Sequence, residues 1–397
     1  MSILSELISK KIEENKKLGF YRKIPDIKIE RFKTETGSFD SHYNTVTVNL
    51  ATNDYLGLSL NEKIKTAAKH AIDLYGTSAG SSFLICGHSD IHIELEKELC
   101  RFKGGYENCI LYPSGYQANT GIIRSLASIS PLNTAIIFDE LSHASIIDGI
   151  IASGVKFKSY KHNDLNSLEN ILGRHRDYAI KLVITEGVFS MDGDIPDLPA
   201  ILDIAEKYGA VGIVDDAHAT GTIGKSGGGS SDFHNVKPDI IIGTLGKALA
   251  SNGAFVLSNN LITEYLVNFS RAFIFSTGIP PSSAASALAA LKLIKENPEI
   301  VLKLQKNSES ARRYLNESGL NTLNSSTHII PILIGEEEKA VLIEKELLKD
   351  GIYLKAVRYP AVPKKNAILR LGINLAIDAA IFQSVLENIA DKVKLIN

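Results

Sequence analysis

Residues 211–247 read VGIVDDAHATGTIGKSGGGSSDFHNVKPDIIIGTLGK. Two short apolar runs, VGIV and III, end in polar residues, Asp215 and Thr244. Runs that are apolar at every position, rather than at alternate ones, suit strands buried on both faces, as in a parallel sheet covered by helices. The same texture extends upstream through NCILYPS (108–114) ahead of GYQANTGIIRSLASI (115–129), TAIIFDE (134–140), and KLVITEG (181–187) ahead of LPAILDIAEKYG (198–209). This alternation predicts an α/β fold, a mostly parallel central sheet with helices on both faces.

After SRAFIFSTGIPP (270–281) the texture changes. A helical run from Ser282 to about Leu315, mixed elements such as THIIPILIGEEE (327–338) and a final helix near Ala380 to Val393 predict a smaller C-terminal α+β domain. The expected division is 1–50, an N-terminal helical arm with the first strands; 51–285, the large domain; and 286–397, the small one. In the arm, Ile3, Leu4, Leu7, Ile8 and Ile12 recur at helical spacing among charged residues.

Composition narrows the function classes. With 43 basic and 45 acidic residues the net charge is -2, which advertises neither a nucleic-acid nor a membrane partner. No stretch reaches the ~18 apolar residues of a membrane span. The N-terminus is charged and helical rather than signal-like, so a cytoplasmic protein is expected. Cys86, Cys100 and Cys109 form no C-x-x-C pair, and the ten histidines form no H-E-x-x-H cluster, so no metal is expected.

Open parallel sheets bind ligands beyond the carboxyl ends of their strands. Four such places carry polar residues: Ser114-Gly115-Tyr116, Asp139 to His143, Asp215 to His218, and Thr244 to Lys247. An acidic strand end followed by a lysine at the next strand end meets two needs of pyridoxal phosphate. The amine forms a Schiff base, and the carboxylate keeps the pyridine nitrogen protonated so that the ring accepts carbanion electrons. Adjacent Asp215 and Asp216 also call for a cation, which a pyridinium would supply. Spacing alone leaves a surface lysine and an ordinary acidic strand end open.

Ser114-Gly115-Tyr116 stands at a strand-to-helix turn, where free N–H groups face an anion and Gly115 allows close approach. Thr244 could add a hydroxyl to the same phosphate. A competing phosphate loop, Ala219 to Ser226 (ATGTIGKS), fits the relaxed Walker A pattern. It is followed by Gly227-Gly228-Gly229 rather than by a helix, in which each glycine costs ~1 kcal/mol.

Taken in order, ATNDYLGL (51–58), ICGHSDIHIELEKEL (85–99), LYPSGYQANTG (111–121), DELSHASIIDG (139–149), TEGVFSMDGDIPDL (185–198), VDDAHATGTIG (214–224), GTLGKALASNGAFV (243–256), FIFSTGIPP (273–281) and VPKKNAILRLGIN (362–374) resemble the α-oxoamine synthases. These are fold-type I pyridoxal-phosphate enzymes that join an amino acid to an acyl-CoA. The resemblance runs from about residue 15 to 390. It implies that Lys247 carries the cofactor, Asp215 pairs with its pyridine nitrogen, His143 stacks on the ring and His218 touches the phenolic oxygen. Gly115, Tyr116 and Thr244 would hold the phosphate, with Ser190 near the cofactor and Thr277 reaching a neighbouring subunit's phosphate in a homodimer. Arg370 would bind the amino-acid carboxylate, and Asn53 would lie near the substrate.

Within the family, SHASIIDG (142–149), KHNDLNSLENIL (161–172), ASNGAFVLS (250–258) and EYLVNFSRAFIFSTGIPP (264–281) are most similar to members of biotin biosynthesis. Those condense L-alanine with a pimeloyl thioester, on CoA or a carrier protein, to 8-amino-7-oxononanoate. Arg22, in Tyr21-Arg22-Lys23, is the candidate for the far carboxylate of the pimeloyl chain, since Arg offers a fork that a carboxylate accepts. FLICGHSDIHIELEKEL (83–99) also resembles 2-amino-3-ketobutyrate CoA ligases, and a long-chain aminoketone synthase remains an alternative. So do an aminotransferase and a non-catalytic subunit keeping the fold, though the latter has no chemical reason to retain Lys247. The chain departs from the family in lacking an arginine around Ser82-Phe83 and in reading Leu375-Ala376-Ile377-Asp378 after Asn374.

Overall fold

The computed structural model describes residues 2–17, 21, 22, 24, 27–29, 44–46 and 48–396. Two compact units divide the chain. One comprises Asn53–Ser190 with Asp194–Lys306; the other comprises Met1–Thr52, Met191–Gly193 and Asn307–Asn397.

The first unit is built on a seven-stranded sheet in the order Asn108–Tyr112, Ala254–Ser258, Ile240–Thr244, Val211–Asp215, Ile180–Glu186, Thr134–Asp139, Lys156–Tyr160. Only Ala254–Ser258 runs antiparallel to its neighbours, so the sheet is mostly parallel. Every residue of Thr134–Asp139 and of Ala254–Ser258 is buried, as apolar runs without alternation require. On one face Ala135, Ile137 and Val183 pack with Leu168 and Leu172 of helix Leu165–Arg174, and with Ile201 and Ala205 of helix Leu198–Lys207. Helices Gly115–Ala127 and Ala144–Ser153 pack closely together: an ideal Cβ on Gly149 would lie 3.0 Å from Thr120 Cα.

Two of these strands were not evident from apolar runs. Lys156–Tyr160, KFKSY, is an edge strand with its lysines exposed, so it carries little apolar signal. Ala254–Ser258 returns antiparallel beside the preceding strand Ile240–Thr244 and pairs on its other side with Asn108–Tyr112, far away in sequence, which only the folded chain reveals.

The helical run expected from Ser282 is two helices, Pro281–Glu296 and Glu299–Glu317. Pro298 has no N–H and cannot continue the first. Pro281–Glu296 buries Ala284, Ala287, Leu288 and Leu291 and packs against helices Glu62–Tyr75 and Asp90–Phe102. It therefore belongs with the large sheet, although a boundary at 285 would cut through it.

The second unit contains a three-stranded antiparallel sheet, Ile329–Gly335, Ala367–Gly372 and Lys355–Val357, with helices Glu337–Lys349 and Ala379–Ile396. Val48–Asn49 pairs in parallel with Ile352–Tyr353, and Leu50 O accepts from Gly372 N at 2.8 Å, which ties the end of the N-terminal segment to the C-terminal sheet. Helix Ile3–Lys17 leaves its apolar stripe, Ile3, Leu4, Leu7 and Ile8, exposed. Asp378, at the position where the sequence departs from the family, accepts from Ala380 N at 2.9 Å at the start of the last helix.

Candidate active site

The carboxyl ends of the parallel strands bring Asp215 and His143 together around Glu186 and set Gly115 beside Thr244. Asp215 ends its strand beside Glu186, its register partner on the neighbouring strand, and Ile242, two residues before Thr244, pairs with Asp215 on the other side. Asp215 is largely buried. Its Oδ1 accepts from Ala217 N at 3.0 Å and its Oδ2 from Asn119 Nδ2 at 2.7 Å. Asn119 sits on the first turns of helix Gly115–Ala127, so the helix that would face a phosphate with its N-terminus also reaches the aspartate.

The expectation that adjacent Asp215 and Asp216 share the need for one cation is corrected. Asp216 turns away from Asp215's neighbours and makes a fully buried ion pair with Lys103, which also reaches Thr220 Oγ1 at 3.2 Å. Asp216 Oδ1 accepts in addition from Ser230 N at 3.1 Å. An argument for a pyridinium partner therefore applies to Asp215 alone.

His143 is the N-cap of helix Ala144–Ser153 and is exposed, while its backbone N–H donates to Glu186 Oε1 at 2.6 Å. Its Nδ1 lies 2.7 Å from Ser145 Oγ. Glu186 is a buried carboxyl that sequence reasoning missed: burial, then the charge of Asp215, hold it well above the usual carboxylate range against the pull of His143 N–H and Lys247. The signal was present, since Glu186 stands at a strand end like Asp215. His218 Nδ1 lies 2.8 Å from Tyr55 Oη, whose hydroxyl donates to Asn53 Oδ1 at 2.9 Å. With that hydrogen committed, His218 Nδ1 is the donor to Tyr55. Asn53 and the missed Tyr55 thereby orient His218.

Ser114 caps helix Gly115–Ala127, accepting from Gln117 N at 3.2 Å. That leaves the earlier N–H groups of the turn for an anion. An ideal Cβ on Gly115 would lie 2.7 Å from Thr244 Cγ2, so the two predicted phosphate residues are adjacent. Thr244 Oγ1 is buried without a hydrogen-bond partner among the described residues. A buried, unsatisfied hydroxyl beside a capped helix N-terminus fits a phosphate oxygen, and the residues present fit pyridoxal phosphate. Tyr116, half exposed, hydrogen-bonds Asp148 through its hydroxyl. Ser190 is half buried, and Thr277 is exposed, bridging to Ser82 through its backbone. Phe83, where the family has an arginine nearby, is a core residue stacked on Phe273 with ring centroids 5.5 Å apart.

The Walker-like loop is already filled. Asp232 Oδ2 accepts from Ser226 N at 2.7 Å, Ser226 Oγ at 2.8 Å and Gly228 N at 3.2 Å, so a side-chain carboxylate occupies the anion position of that loop.

His162 joins two carboxylates of the first unit. Its Nδ1 and Nε2 lie 2.9 Å from Asp139 Oδ1 and Asp194 Oδ2 respectively, and Phe189 meets its ring edge-on at 4.4 Å. Burial opposes the imidazolium, but the two carboxylates outweigh it and push the histidine up to about 10.

Arg370 and Arg22 belong to the other unit. Arg370 lies on strand Ala367–Gly372, 9% exposed, opposite Pro331 and Lys355. Arg22 is exposed, and its neighbour Lys23 lies outside the described residues. Among the described residues no group of three or more His, Cys, Asp or Glu could hold a metal, and no helix is long and apolar enough to cross a membrane.

The sequence model of the aminotransferase class I and II family matches residues 45–389. The chain belongs to this family. Within the aminotransferase class I and II family it falls among the α-oxoamine synthases. It is 40% identical over 375 residues to an 8-amino-7-oxononanoate synthase of Geobacter sulfurreducens, covering 92% of this chain and 93% of that protein. A second such enzyme, of Thermoanaerobacter pseudethanolicus, is 39% identical over 374 residues, covering 94% of this chain and 92% of the relative. Among solved structures, a serine palmitoyltransferase from S. paucimobilis with pyridoxal phosphate and myriocin bound superposes with a TM-score of 0.88 at 28% identity, over 100% of this chain and 99% of that one. An 8-amino-7-oxononanoate synthase from Francisella tularensis gives a TM-score of 0.74 at 31% identity, over 88% and 98%.

Proposed function

We propose that this chain is a pyridoxal-phosphate acyltransferase that condenses L-alanine with a pimeloyl thioester, with loss of carbon dioxide, to 8-amino-7-oxononanoate in biotin biosynthesis. Identity near 40% over more than nine-tenths of the chain to synthases of that name carries the reading. The strand-end geometry supports it. When bound, pyridoxal phosphate supplies an aldehyde for an amine and a ring that accepts an electron pair from the α-carbon.

In this reading Thr244 Oγ1 and the N–H groups of Gly115 and Tyr116 hold the phosphate, Asp215 holds the pyridine nitrogen, and His143 lies against the ring. His218, oriented by Tyr55, reaches the phenolic oxygen, and Ser190 flanks the cofactor. Lys247 Nζ would hold the cofactor's aldehyde carbon and, once freed by the incoming amino acid, would accept the α-proton. Arg370 binds the substrate carboxylate, Asn53 borders the substrate, and Thr277 completes a neighbour's phosphate site in a homodimer. A cytoplasmic location goes with this assignment. The shape alone also matches serine palmitoyltransferases, but the higher sequence identity favours the alanine and pimeloyl reaction.

The test is thiol and carbon dioxide release from purified protein with L-alanine and pimeloyl-CoA, beside glycine with acetyl-CoA and serine with palmitoyl-CoA. Product is expected from the first pair, none with Lys247→Ala, and a raised KM for pimeloyl-CoA with Arg22→Ala, because an unpaired carboxylate in an apolar channel is costly. Preference for either other pair would overturn the substrate assignment.

A further inference from the structure

Two residues with no part in the reading above, Asn119 and Ser145, connect two that have one. Both are buried, Asn119 at 2% exposure and Ser145 at 0%. Ser145 N donates to His143 Nδ1 at 3.3 Å, and Ser145 Oγ lies 2.7 Å from the same nitrogen. A backbone N–H can only donate, so Nδ1 presents its lone pair and the imidazole hydrogen sits on Nε2. The Ser145 hydroxyl hydrogen then points at Nδ1, and its oxygen accepts from Asn119 Nδ2 at 2.9 Å. The second hydrogen of that amide goes to Asp215 Oδ2 at 2.7 Å.

Each hydrogen has one place. Asn119 donates to both Asp215 and Ser145, and Ser145 donates to His143. The carboxylate fixes which way the Asn119 amide faces, and the amide in turn fixes the serine rotor. This orientation leaves Asn119 Oδ1 buried without a partner among the described residues, an unfavourable position kept because both N–H groups are used. Glu186 holds the backbone of the same histidine at 2.6 Å, so His143 is fixed at its ring and at its main chain.

We propose that Ser145 and Asn119 are positioning residues that hold His143 in its Nε2–H tautomer and join it to Asp215 in one hydrogen-bonded chain. With Nδ1 capped, His143 presents a neutral ring face, the form that lies against a cationic pyridine ring without charge repulsion. The carboxylate that stabilises that ring's nitrogen and the imidazole that covers its face are thus set by the same amide. The functional part rests on the cofactor reading, whereas the tautomer does not.

The test begins on cofactor-free protein labelled with 15N-histidine, with the His143 signals assigned by their loss in His143→Gln. Long-range proton–nitrogen correlation should show Nδ1 without a hydrogen and Nε2 with one. Ser145→Ala keeps the backbone N–H at 3.3 Å but removes the hydroxyl at 2.7 Å, so it should move His143 part of the way toward a mixture of tautomers, and Asn119→Ala should do so less, since the serine can still donate. A hydrogen on Nδ1 in the wild type, or unchanged signals in Ser145→Ala, would overturn the proposal whether or not the protein takes up pyridoxal phosphate. On the loaded enzyme, Ser145→Ala should lower kcat about tenfold, the worth of one hydrogen bond, with the KM for the amino acid little changed. Unchanged kcat in a variant whose tautomer has moved would end the link to catalysis.

Discussion

Gly115→Ala tests whether the helix N-terminus and Thr244 form one phosphate cradle. The added Cβ would lie 2.7 Å from Thr244 Cγ2. Carbon atoms settle at about 3.5–4.0 Å, so the overlap is about 1 Å. Relieving it means rotating or displacing Thr244, at about 1–3 kcal/mol for overpacking. Against this, alanine gains at most about 1 kcal/mol over glycine in a helix. The net expectation is a cofactor-free protein about 1–2 kcal/mol less stable, or 5- to 30-fold in the folding equilibrium.

Pyridoxal phosphate should bind more weakly as well. The displaced hydroxyl is the one left unsatisfied in the protein alone, and a hydrogen bond to a charged partner contributes about 1.5–3 kcal/mol. Urea unfolding of the cofactor-free protein and fluorescence titration with pyridoxal phosphate measure the two effects separately. Thr244→Ser removes Cγ2 and keeps the hydroxyl, so in that background Gly115→Ala should be neutral or stabilising and should bind the cofactor nearly as well as Thr244→Ser alone. An equal cost of Gly115→Ala in both backgrounds would refute the contact as the cause.

Lys103→Met should destabilise the protein by about 3–5 kcal/mol, because it leaves the fully buried Asp216 carboxylate without its cation, and adding Asp216→Asn should recover most of the loss; a cost under about 1 kcal/mol in urea unfolding would show that the pair is not buried in solution. The His162 imidazole is raised from 6.5 to about 10 in the folded protein, so its contribution is fully present below pH 6.5 and is lost as the pH rises through 10. The stability difference between wild type and His162→Gln should therefore shrink across that window, and a difference independent of pH would discard the double ion pair.

The amino-acid sequence alone determined the class of fold and marked the strand ends that carry polar residues. Apolar runs such as VGIV, LVI and AIIF mark buried strands, and the polar residues that follow each mark a carboxyl end, which is where Asp215, Thr244, Asp139 and Glu186 stand. It also excluded the Walker-like loop, since three glycines cannot open a stable helix. Strand signals and helix signals are local, so a window of about ten residues is enough to read them.

Pairing is not local. Asn119 and Asp215 are 96 residues apart, Lys103 and Asp216 113, and Tyr55 and His218 163. No periodicity links such partners, because nothing in the chain between them constrains which side chains meet. Two adjacent aspartates looked like one electrostatic problem in the sequence. The strand's pleat sends Asp215 toward Asn119 and Asp216 toward Lys103, and only the packed sheet decides that. The pairing of Ala254–Ser258 with Asn108–Tyr112 and the burial that leaves the Thr244 hydroxyl unsatisfied likewise depend on distant parts of the chain packed together, where burial makes each partner matter.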